Sequence, residues 1–199
     1  MEKEFWEGGT MLSPLPPALV SCGTMEEKNI ITIGWTGIIN SDPPMTYVSI
    51  RPERHSFNIV KETGEFVINL PTEKLAFACD WCGVKSGRDF DKFKEMHLTA
   101  EKGQRVDAPI IKESPVNIEC RVKEQVHLGS HDMFVAEIVG VNVSRELLDE
   151  NGKLCLEKAG LIAYAHGTYY TLGKRLGTFG FSVRKKPKSK NKAKNGKRK

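Results

Sequence analysis

Three stretches of the chain hold residue types that could bind or transform a ligand. The first is Ile39-Asn40-Ser41-Asp42-Pro43-Pro44 and onward to Phe57, where a strand-like run ends in Ser49-Ile50-Arg51 and a helix-like run opens with Arg54 and Ser56. Open N–H groups at a helix start attract an anion, and Ser hydroxyls and Arg forks add donors of matching charge. That is phosphate chemistry; the competing reading is that Arg51 and Arg54 are solvated and Ser49 merely ends a strand. The second stretch, Cys82-Gly83-Val84-Lys85-Ser86-Gly87-Arg88-Asp89, is a donor-rich turn whose Gly83 and Gly87 let the backbone approach a ligand closely, or an ordinary polar loop. The third, Leu128-Gly129-Ser130-His131-Asp132, sets a histidine at the entry to a long strand, where it could touch a redox-active ring, relay a proton, or simply sit in a turn.

Other chemistries find less support. Cys79-x-x-Cys82 has no second pair of ligands for a structural zinc and no thioredoxin-like setting, so both read as packing thiols, and no metal is expected. His127 and His131 lack a further Cys or carboxylate that would complete a metal site. Neither G-x-G-x-x-G nor G-x-x-x-x-G-K-[ST] occurs.

The elements that must position these residues are mostly strands. Ala18–Cys22, Asn29–Ile33, Met45–Ile50 and Glu65–Leu70 are short runs rich in β-branched or aromatic residues. Val116–Val122 and Met133–Val141 are longer, and the linker Gln125–Asp132 is short enough to join them as an antiparallel hairpin. Val116, Ile118, Cys120 and Val122 alternate with Asn117, Glu119, Arg121 and Lys123, which predicts one buried face. Helices are predicted over about 54–62, stopped by Thr63-Gly64, and over about 72–82 with Thr72 as cap; a shorter one begins near Asp89. Many strands without regular β–helix–β alternation predict a mainly β chain forming a closed antiparallel barrel with a few peripheral helices.

With 39% hydrophobic and 28% charged residues over 199 positions, the chain suits one globular domain. Its net charge of +5 conceals two objects. Ten of the thirty Lys and Arg lie between Arg184 and Lys199, where there is no acid, so residues 1–183 hold twenty basic against twenty-five acidic residues, a net of −5. The expected organisation is a loose lead-in at 1–11, a domain at 12–182 and a basic disordered tail at 183–199. The tail could make weak, non-specific contact with nucleic acid or an anionic surface, but has no aromatic residue to stack on bases. The acidic opening Met1–Gly9 has no apolar core, and Ile30–Ile39 is interrupted by Thr32, Gly34, Thr36 and Gly37. A membrane span needs about 20 apolar residues, so a cytoplasmic protein with free thiols and no membrane span is expected.

Taken in order, the stretches resemble the flavin reductase-like family, and within it the flavoredoxin branch. The resemblance rests on Ser41-Asp42-Pro43-Pro44, Ser49-Ile50-Arg51 with Arg54-His55-Ser56, and Thr63-Gly64-Glu65-Phe66-Val67-Ile68-Asn69. It continues through Cys82-Gly83 with Ser86-Gly87-Arg88-Asp89, Asp91-Lys92-Phe93 and Gly129-Ser130-His131, and covers roughly Leu12 to Gly180. It implies an FMN-binding split β-barrel, usually a homodimer with the flavin near the subunit interface. Ser49, Ile50, Arg51, Arg54 and Ser56 would hold the phosphate and ribityl chain, and Ser86, Gly87 and Lys92 would close over the phosphate side. Asn40 and Ser41 would lie beside the isoalloxazine, with Trp35 as a stacking partner. The family's Gly-Asp-His turn is matched with Ser130 in place of Asp, which bears on the role of His131 toward a nicotinamide. Tyr164-Ala165-His166-Gly167-Thr168-Tyr169-Tyr170 also resembles the flavoredoxin branch; Tyr164 would reach the flavin pocket, or its stretch would pack at the dimer interface.

The implied activity is electron transfer from NAD(P)H through FMN to free flavin, ferric iron or a redox partner protein. The alternative is an FMN-binding electron carrier with no nicotinamide site of its own.

Overall fold

The structure is a computed structural model, and it describes residues 1–184. In chain order the strands are β1 (Ala18–Gly23), β2 (Lys28–Ile33), β3 (Thr36–Ser41), β4 (Pro44–Ile50), β5 (Glu65–Asn69), β6 (Ala100–Glu101), β7 (Ile110–Ile111), β8 (Val116–His127), β9 (Asp132–Val143), β10 (Ile162–Ala165) and β11 (Thr168–Thr171). The helices are α1 (His55–Thr63), α2 (Ala76–Val84) and α3 (Lys92–Glu95).

Seven strands form one antiparallel sheet in the order β2-β1-β5-β8-β9-β4-β3. The two end strands are consecutive in the chain, joined only by Gly34 and Trp35. The sheet therefore curls until its ends meet, yet β2 and β3 do not pair; Ser49 N donates to Trp35 O at 3.0 Å, which carries the β3–β4 ladder one pair further, up to the seam. The barrel is split there rather than fully closed as the strand pattern alone predicts. β3 itself is not evident from that pattern, because its outer residues are exposed and it forms an edge.

Val20, Cys22, Ile31, Ile33, Val48, Phe66 and Phe134 fill the barrel, and Phe57 and Val60 of α1 pack into the same cluster. Leu19 and Ile30 point the other way, onto Cys79 and Cys82 of α2 and Phe93 of α3. β1 is thus buried on both faces, which is why it reads as a continuous apolar run. Gly64, at φ +66°, ends α1 as expected, its N–H bonding Val60 O at 2.9 Å.

Three local expectations change. The predicted helix from Thr72 is a 3₁₀ turn at Glu73–Leu75 followed by α2, and Thr72 makes no side-chain cap. Thr72 is instead extended and bridged to Leu161, while Glu73 N bonds Gly160 O. The hairpin linker shrinks to Leu128–His131, because pairing runs on to His127 opposite Asp132. The Asp132 carboxylate holds that end shut, meeting Gln125 Nε2 at 2.5 Å and His127 Nδ1 at 2.7 Å.

The third change concerns β8. Asn117 and Glu119, on its predicted outer face, are buried. Glu119 accepts from the backbone N–H groups of Gln104 (3.1 Å), Arg105 (2.6 Å) and Val106 (3.1 Å) and from Asn142 Nδ2 at 2.6 Å. A loop folds back over the polar face and is satisfied by that one carboxylate.

Residues 1–14 are exposed; the first exchange with the body is Leu15 with Tyr164, at 2.8 and 2.9 Å. Of the basic tail expected from 183, the part from Lys185 onward lies outside the described residues. No helix among the described residues is long and apolar enough to cross a membrane.

Candidate functional site

The sheet seam, the end of β4 and the first turn of α1 converge on one side of the barrel. Between them is a cavity of about 410 Å³ lined by Trp35, Ser49, Arg51, Arg54, His131 and Tyr164, together with Tyr169 and the apolar Leu15 and Pro17. A narrower cleft of about 210 Å³ adjoins it and is lined by Ser56, Ser86, Gly87 and Lys92, with Asn29, His55 and Arg88. Ile31 and Arg54 line both, so the two spaces adjoin at the Arg54 side chain.

The cleft is built for an anion. Arg54 stands at the start of α1 with extended backbone (φ −72°, ψ 137°), and the first turn has neither a side-chain cap nor an acidic residue. Its opening N–H groups are therefore left for a ligand. The Arg54 guanidinium donates to Gly83 O, which holds it between helix and cleft. Lys92 is buried; its Nζ donates to Ile30 O at 2.7 Å and Cys82 O at 2.8 Å. An ammonium carries three donors, so one remains for the cleft. Burial first, and then the Arg54 charge, push Lys92 down to about 8. Burial, followed by Arg88 and Lys92, likewise holds His55 below the ordinary histidine range. Arg54, Arg88, Lys85 and Lys92 outnumber Glu53 in the lining of the cleft, and that excess of positive charge would be relieved by a dianion.

The neutral donors are fixed by packing. Asn29 Nδ2 donates to the buried Ser56 Oγ at 2.7 Å, and Ser86 Oγ accepts from Arg88 N at 3.2 Å. Arg88 Nη1 reaches Glu53 O at 3.0 Å, tying the loop after α2 to the turn before α1.

The wider cavity suits a flat ring. Trp35 and His131 lie against each other, ring centroids 4.4 Å apart at 43°, and Tyr164 and Tyr169 form a second pair at 5.0 Å. Burial raises the Tyr169 hydroxyl well above its ordinary range. His131 is held low by burial and by Arg51, with Glu53 opposing. Its Nδ1 lies 2.9 Å from Ser130 Oγ.

Ten sequence-predicted site residues thus line two adjoining spaces: Trp35, Ser49, Arg51, Arg54, His131 and Tyr164 in the cavity, and Ser56, Ser86, Gly87 and Lys92 in the cleft. Ile50 is buried in the barrel core. Asn40 and Ser41 are exposed on the β3–β4 hairpin and line neither space; Asn40 Nδ2 bonds Pro43 O at 2.9 Å. Asn29, His55, Arg88 and Tyr169 were not singled out as site residues from sequence. Arg88 and His55 stood within the stretches that signalled anion chemistry, whereas Asn29 carries no local signal. Cys79 and Cys82 are buried in packing, their thiols pushed up by burial to about 12 and about 11.

Known proteins share this architecture. Residues 11–173 match the flavin reductase like domain. The flavoredoxin of Desulfovibrio vulgaris (Miyazaki F) superposes with a TM-score of 0.85 at 30% identity, over 92% of this chain and 100% of that one. An FMN-binding protein from Thermus thermophilus, solved with bound 1-cyclohex-2-enone, gives 0.75 at 26% identity, over 89% and 97%. An uncharacterized protein of Archaeoglobus fulgidus is 35% identical over 130 residues, 65% of this chain and 73% of its own length.

Proposed function

Because the chain belongs to the flavin reductase-like domain family, we propose that it is an FMN-dependent oxidoreductase of flavin reductase or flavoredoxin type, taking electrons from NAD(P)H and passing them to an acceptor. The observation that carries the reading is the cationic cleft with a buried Lys92 adjoining a cavity walled by aromatic rings. A phosphate at one end and a flat ring at the other match that shape and charge.

Bound FMN would supply hydride acceptance and stepwise electron release. The chain's part is to hold and orient. Arg54, Ser56, Ser86 and Lys92, with Arg88 added, hold the phosphate. Gly87 lets its loop close over that end, and Ser49 and the Ile50 backbone flank the middle of the ligand. Trp35 and Tyr164 wall the ring, and Arg51 places positive charge near it, favouring an anionic reduced state. His131 stands at the ring edge, where an electron donor would arrive.

The homodimer belongs to the same proposal. Ile38 and Ile39 of edge strand β3 are 69% and 49% exposed, and Asn40 and Ser41 follow them directly. A second copy covering this strand would bring Asn40 and Ser41 beside a flavin site at the interface.

The test is anaerobic mixing of FMN-loaded protein with NADH and NADPH while the flavin absorbance is followed. Bleaching by either supports the reductase. A yellow protein reduced only by dithionite or a redox partner protein would replace it with the electron carrier, and a protein that takes up no FMN would end both.

A further inference from the structure

Beyond the cleft lies a further space of about 580 Å³, between the β1–β2 turn, one face of α1 and the loop after α2. His55, Gly87 and Arg88 line both this space and the cleft, so these three residues are the wall between them. The wall is tightly built. The Gly87 backbone packs against the side chains of Asn29 and His55, and Arg88 Nη1 is fastened to Glu53 O at 3.0 Å. A ligand whose phosphate is its last group can end at the wall. One whose phosphate is esterified onward must carry its chain over the wall and into the space behind it.

The charge changes sign there. Glu26, Glu27, Glu62, Asp89 and Asp91 line the far space, against Lys28 and Arg88. The two cations are already committed: Lys28 Nζ donates to Met25 O at 2.9 Å, and Arg88 reaches Glu53, a residue of the cleft. His55, held below the ordinary histidine range by burial and then by Arg88 and Lys92, is neutral at pH 7 and adds no positive charge. Asp91 caps α3 by accepting from Phe93 N and Lys94 N. Among the described residues none of the five carboxylates is held in an ion pair. Volume is no obstacle to a nucleotide, since small-molecule pockets of this size are ordinary. A second phosphate would leave the cations of the cleft and meet unneutralised carboxylates, and like charges at close range repel.

We propose that Glu26, Glu27 and Glu62, with the wall at Gly87 and Arg88, set the flavin specificity of this chain: they admit a mononucleotide that ends in a free phosphate and turn away a dinucleotide. The proposal rests on the FMN reading of the cleft. The wall fixes where the first phosphate stops, and the acidic space behind it penalises the second.

The experiment titrates the full-length, flavin-free chain with FMN and with FAD by calorimetry, at pH 7 and low ionic strength, where charge effects are least screened. The wild type should take FMN at least about tenfold more tightly than FAD, a difference of roughly 1.4 kcal/mol. Glu26→Lys combined with Glu62→Lys reverses two charges behind the wall and alters no residue of the cleft. It should raise FAD affinity about fivefold and change FMN affinity far less. Glu26→Gln with Glu62→Gln should move FAD affinity by a smaller step in the same direction. Equal affinity of the wild type for the two flavins overturns the proposal. So does an FAD affinity that stays put in the lysine pair, or one that rises by the same factor as FMN affinity. If the lysine pair fails to fold, the glutamine pair decides by the same criteria. A wild-type chain that takes up neither flavin removes the FMN reading itself, whereas one that binds FMN and FAD alike leaves that reading standing and sinks only the specificity.

Discussion

Gly87 lies against Asn29 so closely that a Cβ on it would come within 2.2 Å of Asn29 Oδ1, and within 2.7 Å of His55 Cδ2. Asn29 is also the residue that holds Ser56, at 2.7 Å. The loop after α2 and the start of α1 are therefore packed through one amide, and only a residue without a side chain permits it.

Gly87→Ala must push either the loop or Asn29 away and loosen the cleft. FMN affinity should fall about tenfold or more, equivalent to roughly 1.4 kcal/mol, with the fold retained. Quenching of flavin fluorescence on binding measures this. Affinity equal to wild type would show that the loop does not close on the phosphate.

Lys92 should give FMN binding a pH dependence opposite in sign to its effect on stability. Burial, then Arg54, place the group at about 8 in the folded chain against 10.5 when unperturbed. Between those values the folded state binds fewer protons than the unfolded state, so this group's contribution to flavin-free stability rises with pH across that window and is lost as pH falls through about 8. Phosphate attraction instead needs the charged form and weakens above that point. From pH 7 to pH 9.5, FMN affinity should drop about tenfold, while riboflavin, which lacks the phosphate, should change little. Lys92→Met should flatten the FMN profile.

Glu119 should matter to stability and not to the flavin. Burial pushes its carboxyl up, but the bonds from Asn142 and the Arg105, Gln104 and Val106 backbones outweigh it and hold the group below 4.5. Its stabilising effect is present above the unfolded value and lost as pH falls through the folded one. Glu119→Gln puts an NH₂ group among those donors and should cost about 2–4 kcal/mol at pH 7, lowering the melting temperature by several degrees. The acid side of the stability curve should become shallower. Flavin content should be unchanged, because Glu119 lines neither the cavity nor the cleft.

Ile39→Asp tests the dimer. A charge on the exposed edge of β3 should convert a dimer to monomer by light scattering after gel filtration. FMN affinity should fall with it if Asn40 and Ser41 serve a site at the interface. An unchanged dimer would place the interface elsewhere.

The strand-to-helix part of the candidate site was legible because its signals are local. Ser49, Arg51, Arg54 and Ser56 lie within one strand-to-helix passage, and a helix start leaves N–H groups open whatever surrounds it. Asn29 was not legible: 27 residues separate it from Ser56 in the chain, and nothing near it marks it as more than the start of a strand. Ile50 belongs to the same readable passage, yet alternation sends its side chain into the barrel beside Val48.

β8 shows where such reading stops. A period of two states which side chains share a face, and Val116, Ile118, Cys120 and Val122 did alternate with polar partners. It does not state what returns from elsewhere to cover the other face. The loop at Gln104–Val106 covers Glu119, and the order β2-β1-β5-β8-β9-β4-β3 carries Trp35, His131 and Tyr164 to one cavity. Strand and helix tendencies are set by neighbours a few positions apart, so they were written in the chain. The joining of distant segments is repaid only by burial and hydrogen bonds made once the whole barrel has formed, and that was decided in three dimensions.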